Sequence, residues 1–186
     1  MTTVWNIDSV HTHVQFSARH LMVSNVKGRI AKVSGTVRLE ESDGQSDFTR
    51  SQIDVNMDVS SLDTQEPQRD QHLRSADFLE VEKYPTITFR STRIVPRGTA
   101  GEYDLTGDLT IHGTTLPITL AVDAPTPAVR DPWGGTRRGF EASGKLSRKQ
   151  FGLTWNQALE AGGVMVGDEI KIGLEVELVL AADKAA

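Results

Sequence analysis

The sequence predicts an all-β, antiparallel fold of about eight strands, closed on itself as an up-and-down barrel or faced by a second sheet. Three observations carry this prediction. Apolar residues recur with period two over most of the chain, turn-forming clusters separate the alternating runs, and strands do not alternate with long helices. Each strand offers only one apolar face, so that face must be covered by another wall of the same sheet or by a partner sheet.

The elements follow in order. In "THVQFSARHL", Val14, Phe16, Ala18 and His20 share one parity, and His11, His13, Gln15 and Ser17 share the other. In "QIDVNMDV" the apolar face is Ile53, Val55, Met57 and Val59. The stretch "SLDTQEPQRDQHLRSADFLE" breaks the period. There Asp63 can cap, Pro67 suits a first turn, and Leu73, Ala76 and Leu79 fall at helical spacing, which predicts a short helix over about 66–76. Alternation returns in "YDLTGDLTI" (Tyr103, Leu105, Leu109, Ile111), in "LPITLAV" (Leu116, Ile118, Leu120, Val122) and in "GFEASGKL" (Phe140, Ala142, Leu146). It is clearest in "EIKIGLEVELVLA", where Ile170, Ile172, Leu174, Val176, Leu178 and Leu180 alternate with Lys171, Gly173, Glu175 and Glu177. Turn signals in "ESDGQSD", "PRGTAGE", "HGTT", "DAPTPAVRDPWGG" and "EAGGVMVGDE" separate the strands, and the tail "AADKAA" is expected to fray.

At 186 residues, with no linker or repeat, the chain is expected to form a single domain over 1–186. A formal charge of -5 argues against a nucleic-acid partner, which would call for a basic face. The absence of cysteine excludes disulfides, thiolate metal sites and a cysteine nucleophile. No apolar run approaches the ~20 residues of a spanning helix, so no stable membrane insertion is expected. The opening "MTTVWNIDSV" has neither a basic nor an apolar leader region, so a cytoplasmic location is expected, or a periplasmic or secreted one if a leader precedes Met1. A homodimer is compatible with all of this.

Three of the five histidines, His11, His13 and His20, fall within ten positions, which raises the question of a zinc triad. On an uninterrupted strand His20 faces away from His11 and His13, so the three cannot converge. His11 and His13 could still supply two ligands of a metal-dependent hydrolase or isomerase, with a third such as His112. The other reading is two exposed strand histidines. No nucleophile elbow, phosphate loop or HExxH helix is present. Within the basic cluster Arg137, Arg138, Lys145, Arg148 and Lys149, Lys145 and Lys149 have the outward parity, whereas Arg148 continues the inward series Phe140, Ala142, Gly144, Leu146 at the very end of a strand. There it could hold an anion at a barrel mouth or pair with an acid. The small inward residues Ala18, Ala31, Gly35, Gly107, Ala142 and Gly144 favour a hollow interior, although glycines also let barrels bend. A packed barrel acting as an interaction scaffold stays open.

Four stretches in order resemble one family: "WNIDSVHTHVQFSARHL", "LRSADFLEVEKYPTITFRST", "LTGDLTIHGTTLPITL", and "GFEASGKLSRKQFGLTWN" followed by "VGDEIKIGLEVEL". They are similar to the YceI-like polyisoprenoid-binding proteins from about Trp5 to Leu180, with His13 standing where that family tends to have a small polar residue. The resemblance implies a lipocalin-like antiparallel barrel with one or two short helices. It also implies a non-catalytic role, in which the barrel binds, transports or sequesters a long polyisoprenoid lipid, a prenyl pyrophosphate or polyprenyl quinone. No metal or other cofactor is then expected. The prenyl chain would lie among inward residues such as Phe16, Leu105, Leu109, Phe140, Ala142, Leu174 and Val176, with His20 and Arg148 near the head group.

Overall fold

The computed structural model describes residues 1–42, 45–98 and 100–181. The tail from 182 onward and residues 43, 44 and 99 lie outside the described residues. The first hairpin has two interrupted arms. One is β1 (Thr2–Ile7) continued by β2 (His13–His20), and the other is β3 (Ser24–Ile30) continued by β4 (Val33–Ser42). The next strand, β5 (Gln45–Asp58), is prolonged by the short β6 (Leu62–Asp63). A meander follows: β7 (Thr86–Pro96), β8 (Glu102–Ile111), β9 (Thr114–Asp123), the short β10 (Val129–Arg130), β11 (Thr136–Ser147) and β12 (Val166–Leu180).

The order β11-β9-β8-β7-β5-β4-β1-β12, with β12 paired back onto β11, closes an eight-strand antiparallel barrel. The closing seam is the longest in the sheet and runs from Arg137 opposite Val179 to Ser147 opposite Glu169. On its other edge β12 pairs with β1 near its end and with β2 along its beginning. Closure satisfies the one-faced strands, because the inward residues then meet the opposite wall.

One end of the barrel is packed solid. Trp5, Val37, Leu39, Phe48 and Leu178 are at most 2 % exposed, and the Phe48 ring lies edge-on to Tyr103 at 5.2 Å. Each such side chain contributes ~1.5–3 kcal/mol on burial. Arg138 belongs to this plug, with its guanidinium 4.9 Å over the Trp5 ring and 3.7 Å from Glu41. Trp5, Phe48 and Tyr103 fill this end together with Leu39 and Leu178.

Towards the other end the wall of β12 stays half-buried at Ile170 and at Leu174, although both have inward parity and adequate size. They face an open lumen. The inward glycines do not create this space. A Cβ on Gly107 would stand 2.4 Å from the Phe89 ring, and one on Gly28 2.4 Å from the Phe16 ring, so these glycines accommodate neighbouring aromatics. A Cβ on Gly144 would likewise stand 2.6 Å from Leu120 Cδ2. Ala31, expected inside, is exposed in the break between β3 and β4.

The predicted helix is present as α1 (Pro67–Arg74), shorter than expected. Its N-cap is Glu66, not Asp63, and the Glu66 carboxylate accepts from Gln68 N at 3.2 Å. Asp63 instead lies in β6, where its side chain accepts from Gln65 N at 2.8 Å. Buried Asp70 ties α1 down by accepting from Thr64 N at 2.9 Å and from Thr64 Oγ1 at 2.6 Å. The helix stops at Arg74, so Leu79, 9 % exposed, packs from the turn that follows and not from a helical face.

Candidate ligand-binding cavity

The open part of the barrel is a cavity of about 620 Å³. One wall is formed by Ile170, Ile172, Leu174 and Val176 of β12 with Val14, Phe16 and Ala18 of β2. The facing wall is formed by Met57, Ile87, Phe89, Leu105, Leu109 and Leu120. Strand parity puts these side chains inside, and barrel closure brings the two walls face to face. All nine residues singled out from the sequence, Phe16, His20, Leu105, Leu109, Phe140, Ala142, Arg148, Leu174 and Val176, line this space.

The charged lining gathers at one end, away from Thr12 and Gln15. Among the described residues the charged side chains in the lining are Arg19, Arg69 and Arg148, accompanied by His20 and His72, and no carboxylate joins them. A roof spans this end. The His72 ring stands edge-on to Phe78 at 5.1 Å and to Trp155 at 4.7 Å, while His72 Nε2 lies 2.8 Å from Asp77 Oδ2. The contact with Trp155 links α1 to the segment following β11. Sequence reasoning missed Arg19, Arg69, His72, Phe78 and Trp155. Arg19 has the outward parity of β2 and reaches the mouth because it lies near the strand's end, whereas the other four fall in stretches without period two, where binding residues concentrate.

Arg148 lies just beyond β11, as the first residue of the 3₁₀ turn Arg148–Phe151, and is 3 % exposed. Its Nε donates to Gly167 O at 2.9 Å, Nη1 donates to Leu153 O at 2.6 Å and Trp155 O at 2.9 Å, and Nη2 donates to Val166 O at 3.2 Å. Four of its five N–H groups are thereby committed. Burial pushes its pKa below the ordinary arginine value, partly offset by the charge of Asp168. Asp168 does not bond it directly, accepting instead from Ser147 Oγ at 2.7 Å and from Lys149 N at 3.1 Å. Arg148 thus staples the 152–167 segment to the barrel through carbonyls, and one N–H is left over.

The histidines separate as parity requires. His20 ends β2 and faces the cavity, while His13 begins β2 and is exposed. His11 lies outside the strand, in the break between β1 and β2, where its Nδ1 is 2.9 Å from Asp8 Oδ2 and 3.7 Å from Glu177 Oε1. Among the described residues, the potential metal ligands that lie close together are Asp8, His11 and Glu177, without His13 or His112. The same two carboxylate oxygens already face Arg137 Nη1, at 2.6 Å from Asp8 and 2.5 Å from Glu177. Arg137 Nε also reaches Asp131 at 2.7 Å. Hydrogen bonds from His11 and Arg137 hold the Asp8 carboxyl well below the usual carboxylate range. The cluster is an ionic clasp centred on Arg137, and a dication there would compete with a cation already in place.

The comparisons with known proteins agree with this architecture. Residues 5–178 match the YceI-like domain family. A UPF0312 protein of Vibrio cholerae is 41% identical over 143 residues, covering 77% of this chain and 72% of the relative. Protein YceI of Salmonella newport is 40% identical over 144 residues, with the same shares covered. Among solved structures, the YCEI protein of Campylobacter jejuni superposes with a TM-score of 0.70 at 27% identity, over 88% of this chain and 90% of that one. A polyisoprenoid binding domain from Saccharophagus degradans has the same fold, with a TM-score of 0.68 at 13% identity over 96% of this chain and 99% of that one. With most of its length matched and a closed antiparallel barrel in common, the chain belongs to the YceI-like family.

Proposed function

We propose that this protein binds a long-chain polyisoprenoid lipid, a prenyl pyrophosphate or polyprenyl quinone, in the barrel lumen and carries or sequesters it without catalysing a reaction. The observation that carries the reading is the cavity, about 620 Å³ of almost wholly apolar lining between a packed plug and a roof of His72, Phe78 and Trp155. Apolar surface of this extent facing open space favours a hydrocarbon occupant, since each methylene-sized group moved out of water is worth about 0.8 kcal/mol. The charged groups cluster at one end, which fits a ligand with one polar head and a long tail. The shared fold with the Saccharophagus polyisoprenoid binding domain supports the same ligand class.

The test is extraction of the purified protein with organic solvent and mass spectrometry of the extract, followed by reloading of the stripped protein with prenyl lipids. Recovery of a polyprenyl species, or saturable reloading near one per chain, is the expected result. A stripped protein that takes up no prenyl lipid of any length would overturn the reading.

A further inference from the structure

Four large apolar side chains stand out in solvent side by side at the end of the cavity that holds Arg19 and His20. The turn between β2 and β3 exposes Leu21 by 38%, Met22 by 57% and Val23 by 77%. Leu21 and Met22 both adopt left-handed backbone, with φ of 50 and 61, which bulky residues rarely take. The turn is nonetheless well tied. Arg19 Nη2 donates to Met22 O at 3.0 Å, Leu21 N donates to Met165 O at 2.8 Å, and Val23 N donates to His20 O at 3.0 Å. A second loop leans on it, since a Cβ on Gly163 would stand 3.5 Å from Met22 Cγ, and that loop adds Val164, 37% exposed.

The feet of both loops are cavity wall. Arg19 and His20 on one side, and Met165 and Val166 on the other, line the lumen. The exposed apolar tip is therefore continuous with the apolar interior. Of the three arginines in the lining, Arg148 is buried on carbonyls and Arg69 is bonded to Thr64, so Arg19, exposed at the foot of the turn, is the one placed to meet an anionic head group, while the second loop carries exposed Glu160.

We propose that the 21–23 turn and the 159–165 loop form a docking tip for an anionic lipid surface. Met22 and Val23 enter the acyl boundary, Arg19 meets the head groups, and the lumen's ligand passes between bilayer and barrel without crossing water. The ligand transfer rests on the reading that the lumen holds a lipid, whereas the docking is measured separately.

The experiment is flotation of the full chain with phosphatidylcholine–phosphatidylglycerol vesicles, comparing the unsubstituted protein, Met22→Asp/Val23→Asp and Val164→Asp. None of these side chains lines the lumen, so thermal melting and the solution binding of geranylgeranyl pyrophosphate, measured without vesicles, should be unchanged in both variants. The unsubstituted protein is expected to float, and the double variant to lose roughly tenfold or more of its partitioning. Val164→Asp should show a smaller loss. An unsubstituted protein that stays at the bottom of the gradient, or a double variant that floats equally well, would overturn the docking. So would a dimer that the substitutions split, since the tip would then be an interface between copies. If the unsubstituted protein fails to bind the prenyl probe in solution, the lumen reading falls, and the transfer with it, whatever the flotation shows.

Discussion

Ala142 offers a direct test of how the lumen is filled. It lies in the middle of β11, opposite Leu174 on one side and Val122 on the other, and it faces the cavity. At ~30 Å³ per methylene-sized group, a cavity of 620 Å³ takes on the order of 20 carbons, or about four isoprene units. Burying one unit is worth about 3–4 kcal/mol gross, and ordering the chain takes back part, which leaves roughly a tenfold gain in affinity per unit. Affinity should therefore climb along a series of prenyl pyrophosphates and then level off near four units. The Ala142→Trp substitution adds about nine heavy atoms, the bulk of one to two isoprene units, at the deep end of the lumen. Its plateau should come one to two units earlier, with short chains bound as before. Ala18→Trp, placed opposite Ile170 nearer the mouth, should weaken chains of every length. Displacement of a fluorescent prenyl probe measures the affinities, and thermal melts of the ligand-free proteins measure the cost of the indole. If Ala142 is packed on all sides, overpacking of ~1–3 kcal/mol should lower the melting temperature by roughly 3–10 °C in a chain of this length. Such a drop, together with affinity independent of chain length in the unsubstituted protein, would refute the reasoning.

Arg148→Met takes the arginine donor from the carbonyls of Leu153, Trp155 and Gly167, while Val166 O keeps Asn156 Nδ2 at 2.7 Å, so we expect a loss of ~2–4 kcal/mol and a melting drop of roughly 5–15 °C without ligand. Unchanged melting with selective loss of pyrophosphate-headed ligands would instead make Arg148 a head-group contact. The Asp8 carboxyl titrates below its ordinary value near 3.8, first through its bond with His11 and then through that with Arg137. A depressed carboxylate stabilises the fold above the unfolded-state pKa, and this is lost as pH falls through the folded one. The stability gap between the unsubstituted protein and Asp8→Asn should thus be full at pH 7 and shrink below about pH 4 in acid melts; a pH-independent gap contradicts the clasp. Neither His11 nor His13 lines the cavity, so His11→Ala/His13→Ala should leave prenyl binding unchanged. Elemental analysis after dialysis that found one tightly held metal per chain, lost in this variant, would revive the metal-centre alternative.

Strand parity was legible because it is local. Alternation in "EIKIGLEVELVLA" or "THVQFSARHL" assigns each side chain to a face before any partner strand is known, so the nine candidate residues and the separation of His20 from His13 follow from spacing alone. The helix was visible for the same reason, through Pro67 and the break in period, whereas its cap was misplaced because Asp63 and Glu66 are both competent acceptors and only the path of β6 chooses between them. Whether the interior is solid or hollow is not a local property. It depends on how side chains from opposite walls sum across the lumen, and only closure shows that Trp5, Phe48 and Tyr103 fill one end while the side chains of the other end, though inward, leave open space between them. The partners of Arg148 were invisible for a related reason, since a guanidinium satisfied by backbone carbonyls leaves no complementary residue type in the sequence. The Arg137 clasp joins residues 8 and 177, and the roof joins His72 to Trp155, across separations that only the closed sheet brings within reach of a hydrogen bond or a ring contact.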